Sequence, residues 1–139
     1  MGKLSDNFPY LYVASAGGNA LEIVNITNPA APSQMGRIET GSGALLANPQ
    51  SVTVAGYNAF VTSKGNDALE IIDISNPASP VLVGNYDTPN TAINVVVAGN
   101  YAYIADFSSV QIVNISTPNV PTLAGSYSTP NSSYGITVG

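Results

Sequence analysis

Histidine, cysteine and tryptophan are absent from the 139 residues, and 3 Lys or Arg stand against 8 Asp or Glu. Without His there is no imidazole base. Without Cys there is no thiol nucleophile, disulfide, zinc knuckle or iron–sulfur ligation. Lys3, Arg37 and Lys64 are too few to neutralise a run of phosphates, so nucleic acid is not an expected partner. No run of about 18 apolar residues occurs, so no membrane insertion is expected. Met1-Gly2-Lys3-Leu4-Ser5-Asp6 lacks the apolar stretch of a signal peptide. Charged residues make up 8% of the chain, against about 25% in ordinary soluble domains, so Asn, Ser, Thr and Gly carry its solubility.

What is present is a repeat. Leu21-Glu22-Ile23-Val24-Asn25-Ile26 recurs 48 residues later from Leu69 and a further 41 later from Val110. Each copy runs into the same punctuation, Asn28-Pro29-Ala30-Ala31-Pro32, Asn76-Pro77-Ala78-Ser79-Pro80 and Thr117-Pro118-Asn119-Val120-Pro121, and then into Gly36, Gly84 or Gly125. Upstream lie Leu11 to Ala14, Ala59 to Thr62 and Ala102 to Ala105, and a fourth element reads Ser51 to Gly56, Asn94 to Gly99 and Gly135 to Gly139. All four elements are short, rich in Val, Ile, Tyr and Phe, and bounded by Gly, Asn, Pro and Ser, which is the signature of strands. No apolar period of 3.6 persists, so helix is expected to be near zero.

The third element is apolar on both faces, with Leu69 and Ile71 on one and Ile72 and Ile74 on the other. Such a strand needs a neighbouring sheet on each side. Sheets of four strands, repeated every 40 to 50 residues and stacked face to face, describe a β-propeller. The fold class expected is therefore all-β, with three four-stranded blades per chain. We denote the repeat positions A (innermost) to D.

The run Leu69 to Gly84, continuing through Asn85-Tyr86-Asp87-Thr88-Pro89, resembles the LVIVD-repeat proteins of bacteria and archaea, in three copies from about Tyr10 onward. The third copy departs, with Val110 and Gln111 for Leu and Glu, and its loop before this strand is two residues shorter. The resemblance implies a β-propeller, an extracellular or cell-surface setting, and no catalytic residues or cofactor.

Residues 1–9 read as a lead-in and 10–139 as three blades, with repeats at about 10–56, 57–99 and 100–139. In that order the chain opens on a B strand and closes on an A strand, so first and last blades are halves of one. Three blades fall short of the roughly four to eight that close a ring. The expected closure is a head-to-tail homodimer of six blades by strand exchange, in which Tyr134, Ile136 and Val138 complete the first blade of a partner. An excised fragment of a longer secreted propeller is the alternative.

Loop lengths separate the two rims. The A–B hairpins and Pro-x-x-Pro turns are uniform, whereas the D–A span from Gly36 to Val52 is five residues longer than those from Gly84 to Val95 and Gly125 to Ile136. Insertions on one rim of a repeat protein mark a candidate binding face. The candidate interaction loops are Thr40, Ser42, Leu45, Leu46 and Asn48, with Lys64, Asp67 and Phe107 on the same rim. Leu45 and Leu46 either cap a central channel or meet a partner. The prolines recur in register with the blades and read as turn formers. Asn25, Asp73 and Asn114 share one position, where Asx side chains bond the following turn.

Catalysis has thin support. Glu22 and Glu70 share a repeat position and read as solvated blade margins. Asn66, Asp67 and Asp106 lack the oxygen density of a calcium loop, and no Gly-x-Ser-x-Gly elbow occurs. No catalytic, metal or cofactor residues are therefore assigned. The function expected is a non-enzymatic binding or scaffolding module for protein or cell-surface glycan. A purely structural self-assembling subunit is a second reading, and an enzyme with acids lining the channel a third.

Overall fold

The computed structural model describes residues 9–41 and 45–139. Eleven strands appear among them: β1 (Tyr10–Ser15), β2 (Ala20–Asn25), β3 (Ser33–Glu39), β4 (Pro49–Ala55), β5 (Asn58–Ser63), β6 (Ala68–Asp73), β7 (Val81–Asp87), β8 (Asn94–Ala98), β9 (Tyr101–Ala105), β10 (Phe107–Asn114) and β11 (Thr122–Ser133). They form three antiparallel sheets, β1-β2-β3, β4-β5-β6-β7 and β8-β9-β10-β11. The first sheet thus holds positions B to D, and the other two hold A to D. No helix among the described residues is long and apolar enough to cross a membrane.

Local chemistry sets the turns. Gly56 and Gly99 open the two A–B hairpins with φ of 60° and 58°, a conformation glycine adopts without penalty. After each C strand an Asx side chain accepts from the backbone two residues on. Asn25 Oδ1 takes the Thr27 N–H at 2.8 Å, Asp73 Oδ1 the Ser75 N–H at 2.8 Å and Asn114 Oδ1 the Ser116 N–H at 2.9 Å. Asn28 and Asn76 repeat the device inside the turn, accepting from Ala30 and Ala78.

Two apolar cores hold the sheets together. Leu21, Ile23 and Ile38 of the first sheet meet Ala59, Val61, Ile72 and Ile74 of the second. Phe60, Leu69 and Ile71 on the opposite face of the second sheet meet Val95, Ala102, Ile104 and Val113 of the third. The middle sheet is therefore buried on both sides, as the two-faced pattern of its C strand requires, and Ala68 to Ile72 are all buried.

Each D strand carries a β-bulge at the same point. The register slips between Ile23 and Val24, between Ile71 and Ile72 and between Ile112 and Val113, leaving Met35, Val83 and Ala124 as the extra residues. A bulge bends its strand and increases local twist, so each outer edge curls beside the glycine that follows.

The third sheet departs from the other two. β11 is 12 residues long, where β3 and β7 have 7, and its end stays on β10, with Ser133 opposite Phe107. Residues 134–139 form no strand, although an A strand is expected there.

Candidate interaction surface

The long D–A connection is fastened by a buried acid. Glu70 is wholly buried; one carboxylate oxygen accepts the Leu45 backbone N–H at 2.8 Å and the other the Ser63 hydroxyl at 2.7 Å. Burial pushes the Glu70 carboxyl above its ordinary range, partly offset by the Ser63 and Leu45 hydrogen bonds. This corrects the expectation that the repeated Glu is a solvated margin. Only Glu22 is half-exposed, and it pairs with Arg37 at 2.6 Å. The difference is tertiary: Glu70 lies under the connection between the first and second sheets, and Glu22 lies on a face without a neighbouring sheet. In the third sheet Gln111 occupies this position, buried, and donates to the Ser109 hydroxyl at 2.8 Å.

The candidate loop residues separate into structural and free ones. Thr40 donates its hydroxyl to the Leu46 carbonyl at 2.8 Å. Leu46 is fully buried in the core between the first two sheets, so it is a packing residue and not a contact for a partner. Leu45 is 56% exposed. Asn48 adopts a positive φ of 53°, accepts the Lys64 N–H and donates its own N–H to Asn19 Oδ1 at 2.8 Å. Asp67, also at positive φ, accepts the Thr88 N–H. Lys64 and Asp67 are both exposed, and Ser42 lies outside the described residues. Leu45, Lys64 and Asp67 are exposed on this rim, as are Thr40 and Asn48, whose side chains are tied to Leu46 and Gln50.

Phe107 opens β10 of the third sheet. It is 42% exposed, holds a φ of 74° and meets the Tyr134 ring edge-on, with centroids 6.0 Å apart and planes at 82°. The first residue of the expected exchange strand is thus held against its own sheet. Nearby, Asp106 is wholly buried; Ser109 donates its hydroxyl to Oδ1 at 2.5 Å, and Oδ2 has no partner among the described residues. No three Asp or Glu side chains among the described residues are grouped to hold a metal ion.

The outer faces of the first and third sheets carry exposed apolar side chains: Leu11 and Val13 on β1, beside the Glu22–Arg37 pair, are 48% and 38% exposed, and Tyr127 on β11 is 68% exposed. The two-faced strand pattern calls for a neighbouring sheet on each side, and among the described residues these side chains have none. Their signal lay in the repeat: Ala59, Val61, Ala102 and Ile104, at the positions of Leu11 and Val13, are all buried.

Three face-to-face antiparallel sheets define a propeller-like all-β protein, and the solved structures this chain resembles share that fold. A functionally unknown protein from Desulfotomaculum acetoxidans is 20% identical with a TM-score of 0.71, over 87% of this chain and 39% of that one. A Lactobacillus plantarum protein is 16% identical with a TM-score of 0.75, over 91% and 41%. A Pseudomonas aeruginosa periplasmic gluconolactonase is 9% identical with a TM-score of 0.76, over 90% and 38%. The chain spans about two fifths of each of these structures. No curated protein matches it in sequence. The LVIVD repeat matches at residues 4–40, 48–88 and 90–129, and the chain belongs to the LVIVD-repeat family.

Proposed function

We propose that this chain is a non-enzymatic binding or scaffolding module that becomes a closed six-bladed propeller by exchanging its last segment with a second copy. One observation carries the reading: the first sheet has three strands, while residues 134–139, which repeat the A-strand sequence, pair with nothing as a strand. Exchange would place Tyr134, Ile136 and Val138 along the free edge of β1, satisfying backbone groups that an open edge leaves exposed. Burial of Glu70 and Asp106 supports the non-enzymatic part, since neither acid reaches solvent in this chain. The ligand-binding rim is the one bearing Leu45, Lys64 and Asp67, and the ligand class is protein or cell-surface glycan.

Light scattering tests the assembly. A mass twice the 14.2 kDa of one chain is expected, falling to one chain when Asn131 to Gly139 are deleted. A stable, soluble single chain at every concentration overturns the exchange. A second reading, favoured by the two-fifths share of the solved structures, supplies the other blades from further residues of a longer polypeptide.

A further inference from the structure

The three D-strand glycines do not share one environment. A Cβ added to Gly36 would collide with the Pro77 carbonyl oxygen, and one added to Gly84 with that of Pro118. In each case the carbonyl belongs to the Pro-containing C–D turn of the next sheet. Among the described residues, Gly125 has nothing within 4 Å of the corresponding point. The prolines mirror this. Pro77 and Pro118 are half-buried, while Pro29, the first of the series, is exposed. Each glycine thus receives the next turn in sequence, which leaves one empty socket, Gly125, and one unplaced turn, at Pro29.

The apolar surfaces around them follow the same rule. Ile38 is buried against the second sheet and Tyr86 packs into the second core, whereas Tyr127, at the same position, is 68% exposed. Leu11 and Val13 are the exposed counterparts of side chains that are fully buried in the second and third sheets.

We infer that the outer face of the third sheet receives the first sheet of a second copy, with the Pro29 carbonyl seated over Gly125. Ile112 and Tyr127 then cover Leu11, Val13 and Val24. The contact repeats one the chain makes twice internally, with the Glu22–Arg37 pair on the covered face where the second sheet has Glu70 beside Asn85. It is heterologous, and two such contacts close a two-fold ring. The inference rests on the proposed closure by a second copy but concerns a different surface from the exchanged strand.

Gly125→Val separates the two. Val suits a strand and meets no obstacle within one chain, so the variant is expected to keep its β-sheet circular dichroism and to drop from two-chain to one-chain mass. Gly84→Val, whose obstacle is internal, is expected to lose cooperative folding. Leu11→Asp, on the opposite surface of the contact, is expected to give the same folded single chain and serves if Gly125→Val folds poorly. Two-chain Gly125→Val or Leu11→Asp protein overturns the inference, as does a wild type of single-chain mass. If deleting 134–139 leaves two chains while Gly125→Val gives one, strand exchange fails and the socket stands. The reverse outcome removes the socket and leaves the exchange.

Discussion

The backbone N–H of Leu45 is bound to the carboxylate of Glu70 at 2.8 Å, across 25 positions of sequence. That bond ties the long connection between the first and second sheets to β6, an inner strand of the second, and it uses an acid with no access to water. Holding the connection in this way costs a buried charge.

The pH dependence follows from that charge. The Glu70 carboxyl is raised by burial, so between its ordinary value and its folded one the native chain binds more protons than the unfolded chain. Stability from this group is full below the ordinary carboxyl range and is lost as pH rises through the raised value. Glu70→Gln keeps an acceptor for Leu45 and removes the charge, as Gln111 does in the third sheet. The variant is expected to melt several degrees higher at pH 7 and to lack the fall in Tm above the carboxyl range. A lower Tm at pH 7 counts against this account.

Asp73 behaves in the opposite sense. Its carboxyl is lowered by hydrogen bonds from Ser75, side chain first and then backbone, so its contribution is present above the ordinary carboxyl range and lost as pH falls through the lowered value. Asp73→Asn reproduces the Asn25 and Asn114 turns and is expected to stay within about 0.5 kcal/mol of wild type at pH 7. Asp73→Ala, which loses the acceptor, is expected to cost about 1 kcal/mol. Urea denaturation at pH 7 and pH 3 measures both, and the wild-type advantage over Asp73→Asn shrinks at the lower pH.

Adjacent leucines are expected to part company. Leu46→Ala empties a core site and costs about 2–5 kcal/mol in urea unfolding. Leu45→Ser changes an exposed side chain while sparing the backbone donor to Glu70, and stays within about 0.5 kcal/mol. In a glycan or protein binding screen Leu45→Ser is expected to lose ligand with its oligomeric mass unchanged. Retained binding removes this rim as the recognition surface.

The Phe107–Tyr134 pair is expected to couple by about 0.5–1.5 kcal/mol in a double-mutant cycle. Because it backs the end of β11, Phe107→Asn is expected to speed amide exchange at Ser133, the β11 residue paired with Phe107, in the single chain. Asn also suits the positive φ of this site. Unchanged exchange rates mean the ring contact anchors nothing.

Most of the strand layout was legible because alternation and repetition report it directly. The two-faced β6, the Asx turns and the order of positions within each sheet all follow from residues that recur. The bulges did not, since one surplus residue beside Gly36, Gly84 or Gly125 leaves the local pattern intact. Nor did the fates of identical residue types: Glu22 and Glu70 differ only in whether a neighbouring sheet covers them. Leu45 and Leu46 are equally apolar, and only the path of the connection decides which of them points inward. The length of β11 likewise depends on what lies beyond it, which its own sequence does not state.

Arg37 bears on how two copies would meet in the proposed assembly. It is held by Glu22 at 2.6 Å and Glu39 at 3.4 Å, so one of three cations in a chain of net charge -5 is already spoken for. Two copies therefore approach as bodies of the same sign, with attraction confined to apolar faces that act only at contact. Added salt shortens the reach of that repulsion, so the encounter quickens as ionic strength rises, the reverse of an association steered by opposite charges.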